Sequence, residues 1–144
     1  MVEHQFDSIL VPTDGSDAAE RAGAHAVELA KRYDGTVHAL YVMDMGDAAF
    51  VSTPADIEET RSRLEAKGKE YTDEIRIMGG DEDVEVVTDV SAGIPEDEIR
   101  EYIEDNDIDL LVLGKRGRSD PDKPLIGSLT QRLIGQLDIP VHTV

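Results

Sequence analysis

The chain has 144 residues, 40% of them hydrophobic, which suits a single domain spanning 1–144 around one core. Its 14 Lys and Arg stand against 32 Asp and Glu, a formal charge of −18, and such a field argues against nucleic acid and anionic membranes as partners. There is no cysteine, which excludes disulfides, thiol catalysis and thiolate metal sites and fits a cytoplasmic setting.

The start of the chain, Met1 to Phe6, lacks a basic region followed by an apolar stretch, so no signal peptide is expected. No apolar run approaches the roughly 20 residues of a membrane span. The acids are spread along the chain, and only 5 Lys and 9 Arg accompany them. This predicts a carboxylate-rich surface adapted to high salt, as in a halophile, where screening relieves self-repulsion.

Ser8 to Val11 is apolar enough for a strand covered on both faces. Pro12-Thr13-Asp14-Gly15-Ser16 breaks it. Asp17 is expected to cap the next helix, with Glu20 completing a capping box. Ala19, Ala22, Ala26, Leu29, Ala30 and Tyr33 recur at helical spacing, and Gly35 is expected to stop the helix. Thr36 to Met43 is the second strand. After a loop to Ser52, Thr53-Pro54 reads as a cap plus first-turn proline. Ile57, Leu64, Gly68, Tyr71, Ile75 and Met78 then form one helical stripe, with Gly79-Gly80 expected to end it. Val84, Val86, Thr88 and Val90 alternate with polar residues, the pattern of a strand near a sheet edge. Pro95 opens a helix with acids in its first turn, burying Ile99, Tyr102 and Ile103. Ile108 to Leu113 is the fourth strand. A last helix runs from Ser128 to about Gln136, burying Leu129, Leu133 and Leu137, and Ile139 to Val144 closes the chain as a strand.

Strand and helix alternate five times, which predicts an α/β fold. Its five-stranded sheet is mostly parallel, with helices on both faces and right-handed crossovers. The first and fourth strands are the most apolar and are expected to be central. Ligands bind such sheets at the carboxyl ends of strands. There the first strand carries Pro12, Thr13 and Asp14, and the fourth carries Gly114-x-x-Gly117. Gly127-Ser128 opens the last helix. Glycines admit close backbone approach, and a helix start offers unpaired N–H groups to an anion. The stretch from Gly114 to Arg132 holds 5 of the 14 basic residues (Lys115, Arg116, Arg118, Lys123, Arg132) but only Asp120 and Asp122 of the 32 acids. In so acidic a chain this local reversal of sign points to a bound phosphate. The Ser128 and Thr130 hydroxyls are candidates for a phosphate oxygen or a metal held by it.

The spacing Gly114-x2-Gly117-x9-Gly127-Ser128, placed after a strand and before a helix, resembles the nucleotide-binding signature of the universal stress proteins in their ATP-binding branch. The resemblance covers the whole chain. It implies a Rossmann-like sheet of order 3-2-1-4-5 and ATP, with Mg²⁺, as a regulatory ligand. It also implies phosphate contacts at Gly117, Gly127, Ser128 and their neighbours Arg116, Leu129 and Thr130, with sugar contacts nearer Leu113 and Gly114. Asp14, flanked by Pro12 and Thr13, matches the family's nucleoside-binding aspartate, and Val42 matches the position whose backbone reads the adenine edge. A homodimer paired through the last strand is implied, although Pro140 removes one donor there. A protein partner is expected, its identity open. The chain departs from the family pattern at Lys115, where a small or polar residue is usual, and at Asp120 and Asp122. Those two charges weaken triphosphate binding unless they are screened or bridged by Mg²⁺.

No catalytic set stands out. Ser16 and Ser128 have no nearby histidine in sequence, and His4, His25, His38 and His142 are scattered without ligand spacing, so no metal site is expected. The G-x-x-x-x-G-K-[ST] loop is absent, and the Asp14-Gly15-Ser16-Asp17 turn lacks the first serine and second glycine of the S-G-G-x-D-S loop of ATP pyrophosphatases. Two other readings remain open: a nucleotide-free dimeric interaction module, in which the glycines only build turns, and a slow ATP hydrolase.

Overall fold

The computed structural model describes residues 6–45, 53–115 and 128–144. Nine elements alternate along them: β1 (Ser8–Pro12), α1 (Asp17–Tyr33), β2 (Thr36–Met43), α2 (Pro54–Asp81), β3 (Val86–Ala92), α3 (Pro95–Asp105), β4 (Leu110–Leu113), α4 (Ser128–Ile134) and β5 (Val141–Thr143). The five strands form one sheet in the order β3-β2-β1-β4-β5. Every pairing is parallel, so the sheet is wholly and not just mostly parallel.

Side chains of a strand alternate between faces, and this chain places an apolar residue on both faces of each inner strand. Ile9 and Val11 of β1, Val37 and Ala39 of β2, and Leu110 and Val112 of β4 join Ala22, Ala26 and Ala30 of α1 and Ile75 of α2. Leu10, Leu40, Leu111 and Leu113 meet Ile99 and Ile103 of α3 and Leu133 of α4. Thus α1 and α2 cover one face, and α3 and α4 the other. Edge strand β3 has one wet side: Val87 is 38% exposed while Val86 packs on the core.

Several local expectations change. Ser16, not Asp17, is the N-cap of α1, its Oγ accepting from Ala19 N–H at 3.1 Å. Asp17 is the first helical residue, so the Asp17–Glu20 capping box does not form. Asp34, not Gly35, takes the left-handed turn after α1, with φ +56°. The cap of α2 is a true box, with Thr53 and Asp56 bonding each other's backbone N–H. That helix runs through Gly79 and Gly80 to Asp81, because its buried side continues onto β3. Helix α4 is shorter than expected, stopping at Ile134 before a turn in which Gln136 and Leu137 N–H both reach Leu133 O.

Candidate functional site

Register brings three strand ends together. β1 pairs with β2 as far as Pro12↔Leu40, and with β4 through Ile9↔Leu110 and Leu10↔Leu111. The carboxyl ends of β2, β1 and β4 therefore stand side by side. Beyond Pro12, Thr13 N–H donates to Leu40 O at 2.8 Å before the chain leaves the sheet. Thr13 is buried, and its Oγ1 accepts from Gly15 N–H at 3.1 Å. Asp14 Oδ1 accepts from Ser16 N–H at 3.0 Å. These two side-chain-to-backbone bonds tighten the turn. Gly15 has φ +77° and faces the Tyr71 ring, whose Cδ1 and Cζ lie 2.6 Å from where a Cβ would stand. A side chain there would strain the backbone and displace the Tyr71 ring.

Val42 lies two residues past Leu40 on β2. In a parallel strand, alternate residues turn their N–H and C=O to the same neighbour. Leu40 faces β1, and Met43 faces the other way, its C=O accepting from Gly93 N–H at 3.1 Å. Val42 therefore turns its backbone toward the space beyond the last β1 residue that pairs with β2. Its side chain joins the cluster that also holds Leu113 and Leu129. In the same register Val42 stands beside Ser91, whose buried Oγ has no hydrogen-bond partner among the described residues.

At the end of β4, Gly114 lies flat against the first turn of α1. A Cβ there would sit 2.8 Å from the Ala18 carbonyl carbon and Cβ. The strand end is clamped from the other side by β5, with Val144 N–H donating to Leu113 O and Lys115 N–H to Val144 O, both at 2.8 Å. The lack of a side chain at Gly114 thus has a packing cause of its own.

On α4, Thr130 is buried and Leu129 packs on the core. Arg132, counted above with the local positive charge, is engaged elsewhere: its Nε lies 2.9 Å from Glu96 Oε2 on α3. Gln136 Nε2 donates to Glu96 Oε1 at 2.7 Å, and Arg100 donates to Gln136 Oε1 at 2.9 Å. This polar network and Leu133 hold a helix too short to be stable alone. Arg116, Gly117, Arg118, Asp120, Asp122, Lys123 and Gly127 lie outside the described residues, and of Ser128 only its place at the start of α4 is described. The structure thus places Pro12, Thr13, Asp14, Val42, Leu113 and Gly114 at one end of the sheet, with Leu129 and Thr130 on α4, which packs on the face shared with α3.

Sequence reasoning missed two supports. Tyr71, taken as one of a helical stripe, backs the Gly15 turn; only the positive φ of Gly15 reveals that role. Ser16 was visible as a capping residue type, but Asp17 beside it carried an equal claim.

Among known proteins, a family model described as "Universal stress protein family" matches residues 5–144. Universal stress protein MJ0531 of Methanocaldococcus jannaschii is 34% identical over 144 residues, covering 99% of this chain and 84% of the relative. The solved structure of universal stress protein UspA from Lactobacillus plantarum superposes with a TM-score of 0.84 at 31% identity, covering 99% of both chains. The structure of hypothetical protein MJ0577 superposes with a TM-score of 0.86 at 28% identity, covering 98% of this chain and 96% of that one. Two structures of the same fold carry nucleotides: a universal stress protein in complex with cAMP (23% identity, TM-score 0.68, 98% of both chains) and one from Arabidopsis thaliana with AMP bound (19%, TM-score 0.70, 96% and 90%).

Proposed function

The chain belongs to the universal stress protein family, and from that premise we propose that it binds ATP, with Mg²⁺, as a regulatory ligand. One observation supports the reading: the candidate nucleoside residues Asp14, Val42 and Gly114 stand at or just past the carboxyl ends of three adjacent strands. Val42 offers backbone N–H and C=O to a base edge. Asp14, part exposed, offers a carboxylate to a ribose hydroxyl. Backbone N–H groups of Gly117 and Gly127 and the hydroxyls of Ser128 and Thr130 would serve the phosphates, and Mg²⁺ would offset the charges of Asp120 and Asp122. The fold accommodates adenine nucleotides in the AMP-bound and cAMP-bound structures. Bound ATP would alter a surface offered to a protein partner.

Calorimetry with ATP-Mg in molar KCl tests this. Micromolar binding is expected, and none below millimolar concentration overturns it. Gly117→Asp is expected to abolish binding with the melting temperature unchanged, and Asp14→Asn to weaken it. Phosphate release lost in Asp14→Asn, with ATP still bound, would instead mark a slow hydrolase.

One observation favours a second reading, a nucleotide-free module: Gly114 is already explained by its packing on Ala18. Absorbance at 260 nm after acid release of the purified protein separates the two, since only the first retains nucleotide. In either case we assign a homodimer through β5, which pairs on one side only, with β4, and leaves an open edge. A cytoplasmic, high-salt setting accords with the absence of cysteine and the charge of −18.

A further inference from the structure

Two of the four histidines, 117 positions apart in sequence, meet in the fold. His25 of α1 and His142 of β5 place Nε2 and Nδ1 3.1 Å apart. Both rings are part-buried and stand on rigid backbone. His25 lies within a 17-residue helix, and His142 is paired with Val112 of β4. Phe6 meets the His142 ring edge-on, with centroids 6.0 Å apart, and is itself set against Tyr33. The His142 ring is therefore packed among neighbours, not left to solvent.

We propose that His25 and His142 form a two-imidazole chelate for a divalent first-row transition metal ion. A metal held by two nitrogens at about 2.0–2.1 Å needs them about 2.9 Å apart at a right angle and about 3.3 Å apart at the tetrahedral angle. The observed 3.1 Å lies between these, so the nitrogens already have a chelating separation, and each ring must turn from facing the other to aim its lone pair at a shared Cu²⁺, Ni²⁺ or Zn²⁺. Imidazole suits these three ions, whereas Mg²⁺ and Ca²⁺ require oxygen. Without metal, one ring must carry a proton between the nitrogens to bridge them. Metal takes that place: if His25 Nε2 holds the proton, it moves through solvent to Nδ1, and both rings stay neutral. Among the described residues no third His, Asp or Glu completes a cluster, so water fills the other positions. The chain's negative field raises the local cation concentration.

The test is Cu²⁺ titration of the full-length protein, followed by electron paramagnetic resonance. One equivalent is expected to give hyperfine splitting from two imidazole nitrogens. His25→Gln and His142→Gln are each expected to remove one nitrogen and weaken binding about tenfold or more, whereas His38→Gln leaves the spectrum unchanged. Carboxylate-only coordination, or a two-nitrogen spectrum surviving in both variants, overturns the site. Should His142→Gln fail to fold, as judged by circular dichroism in chelator, His25→Gln decides alone. Ni²⁺ and Zn²⁺ are expected to raise the melting temperature of the wild type more than that of either variant; equal shifts overturn the proposal for those ions.

Discussion

His38 and Tyr102 carry a proton-linked term on the opposite face of the sheet. His38 Nδ1 lies 2.8 Å from Tyr102 Oη. Burial, then Asp89, pushes the Tyr102 phenol up to about 12, so it remains a donor and His38 Nδ1 accepts. Burial also lowers the His38 pKa, with Glu85 opposing in part. A depressed folded value means the unfolded chain takes up the proton first. The stability this histidine contributes is therefore whole above about pH 6.5 and lost as pH falls from there through the folded value. Urea melts between pH 7.5 and 5 are expected to show a steeper loss of stability in the wild type than in His38→Gln. Equal slopes would refute the linkage. The same scale shows why a capping residue type is not a capping position. Ser16 and Asp17 are adjacent and equally suited by chemistry, and only the backbone angles decide that Ser16 stays outside the helix.

Among the elements, α2 best separates propensity from packing. A Gly-Gly pair is a strong local stop signal, yet the helix passes through both residues. Gly79 is buried against β3, where a Cβ would overlap Val86 Cγ2 and lie 3.0 Å from Val84 O; around Gly80 nothing lies within 4 Å. Neighbouring substitutions should thus have opposite signs. Gly80→Ala is expected to stabilise by about 0.5–1 kcal/mol through helix propensity, and Gly79→Ala to destabilise by about 1–3 kcal/mol through overpacking. Chemical denaturation of the two variants checks this, and a loss in both would contradict the contrast. Helix α4 shows the converse dependence. Its placement on the sheet comes from Leu133 and from Glu96, which holds Arg132 and Gln136. An arginine that looked available to a phosphate is spent on an interhelical contact.

For the whole molecule, the charge of −18 dominates. The ion pairs Lys31–Glu82, Arg32–Glu28 and Lys69–Glu65 are exposed and contribute little each, so unpaired carboxylate repulsion is the larger long-range effect. Its range falls from about 10 Å in 0.1 M salt to about 3 Å in 1 M. The melting temperature is accordingly expected to rise from 0.1 to 2 M KCl, and a flat or falling series would end the idea of salt adaptation. The alternation of apolar strands and amphipathic helices was enough to determine the layered parallel sheet, its wet edge at β3 and the neighbouring strand ends that lead into Asp14 and Gly114. Those patterns depend on hydrogen-bond periodicity within a few residues. Only the tertiary structure decided that His25 reaches His142, that Gly114 rests on Ala18, that Tyr71 backs Gly15 and that Arg132 binds Glu96. Such contacts join residues far apart along the chain, and their distances follow from how strands register and helices pack, which no local spacing encodes.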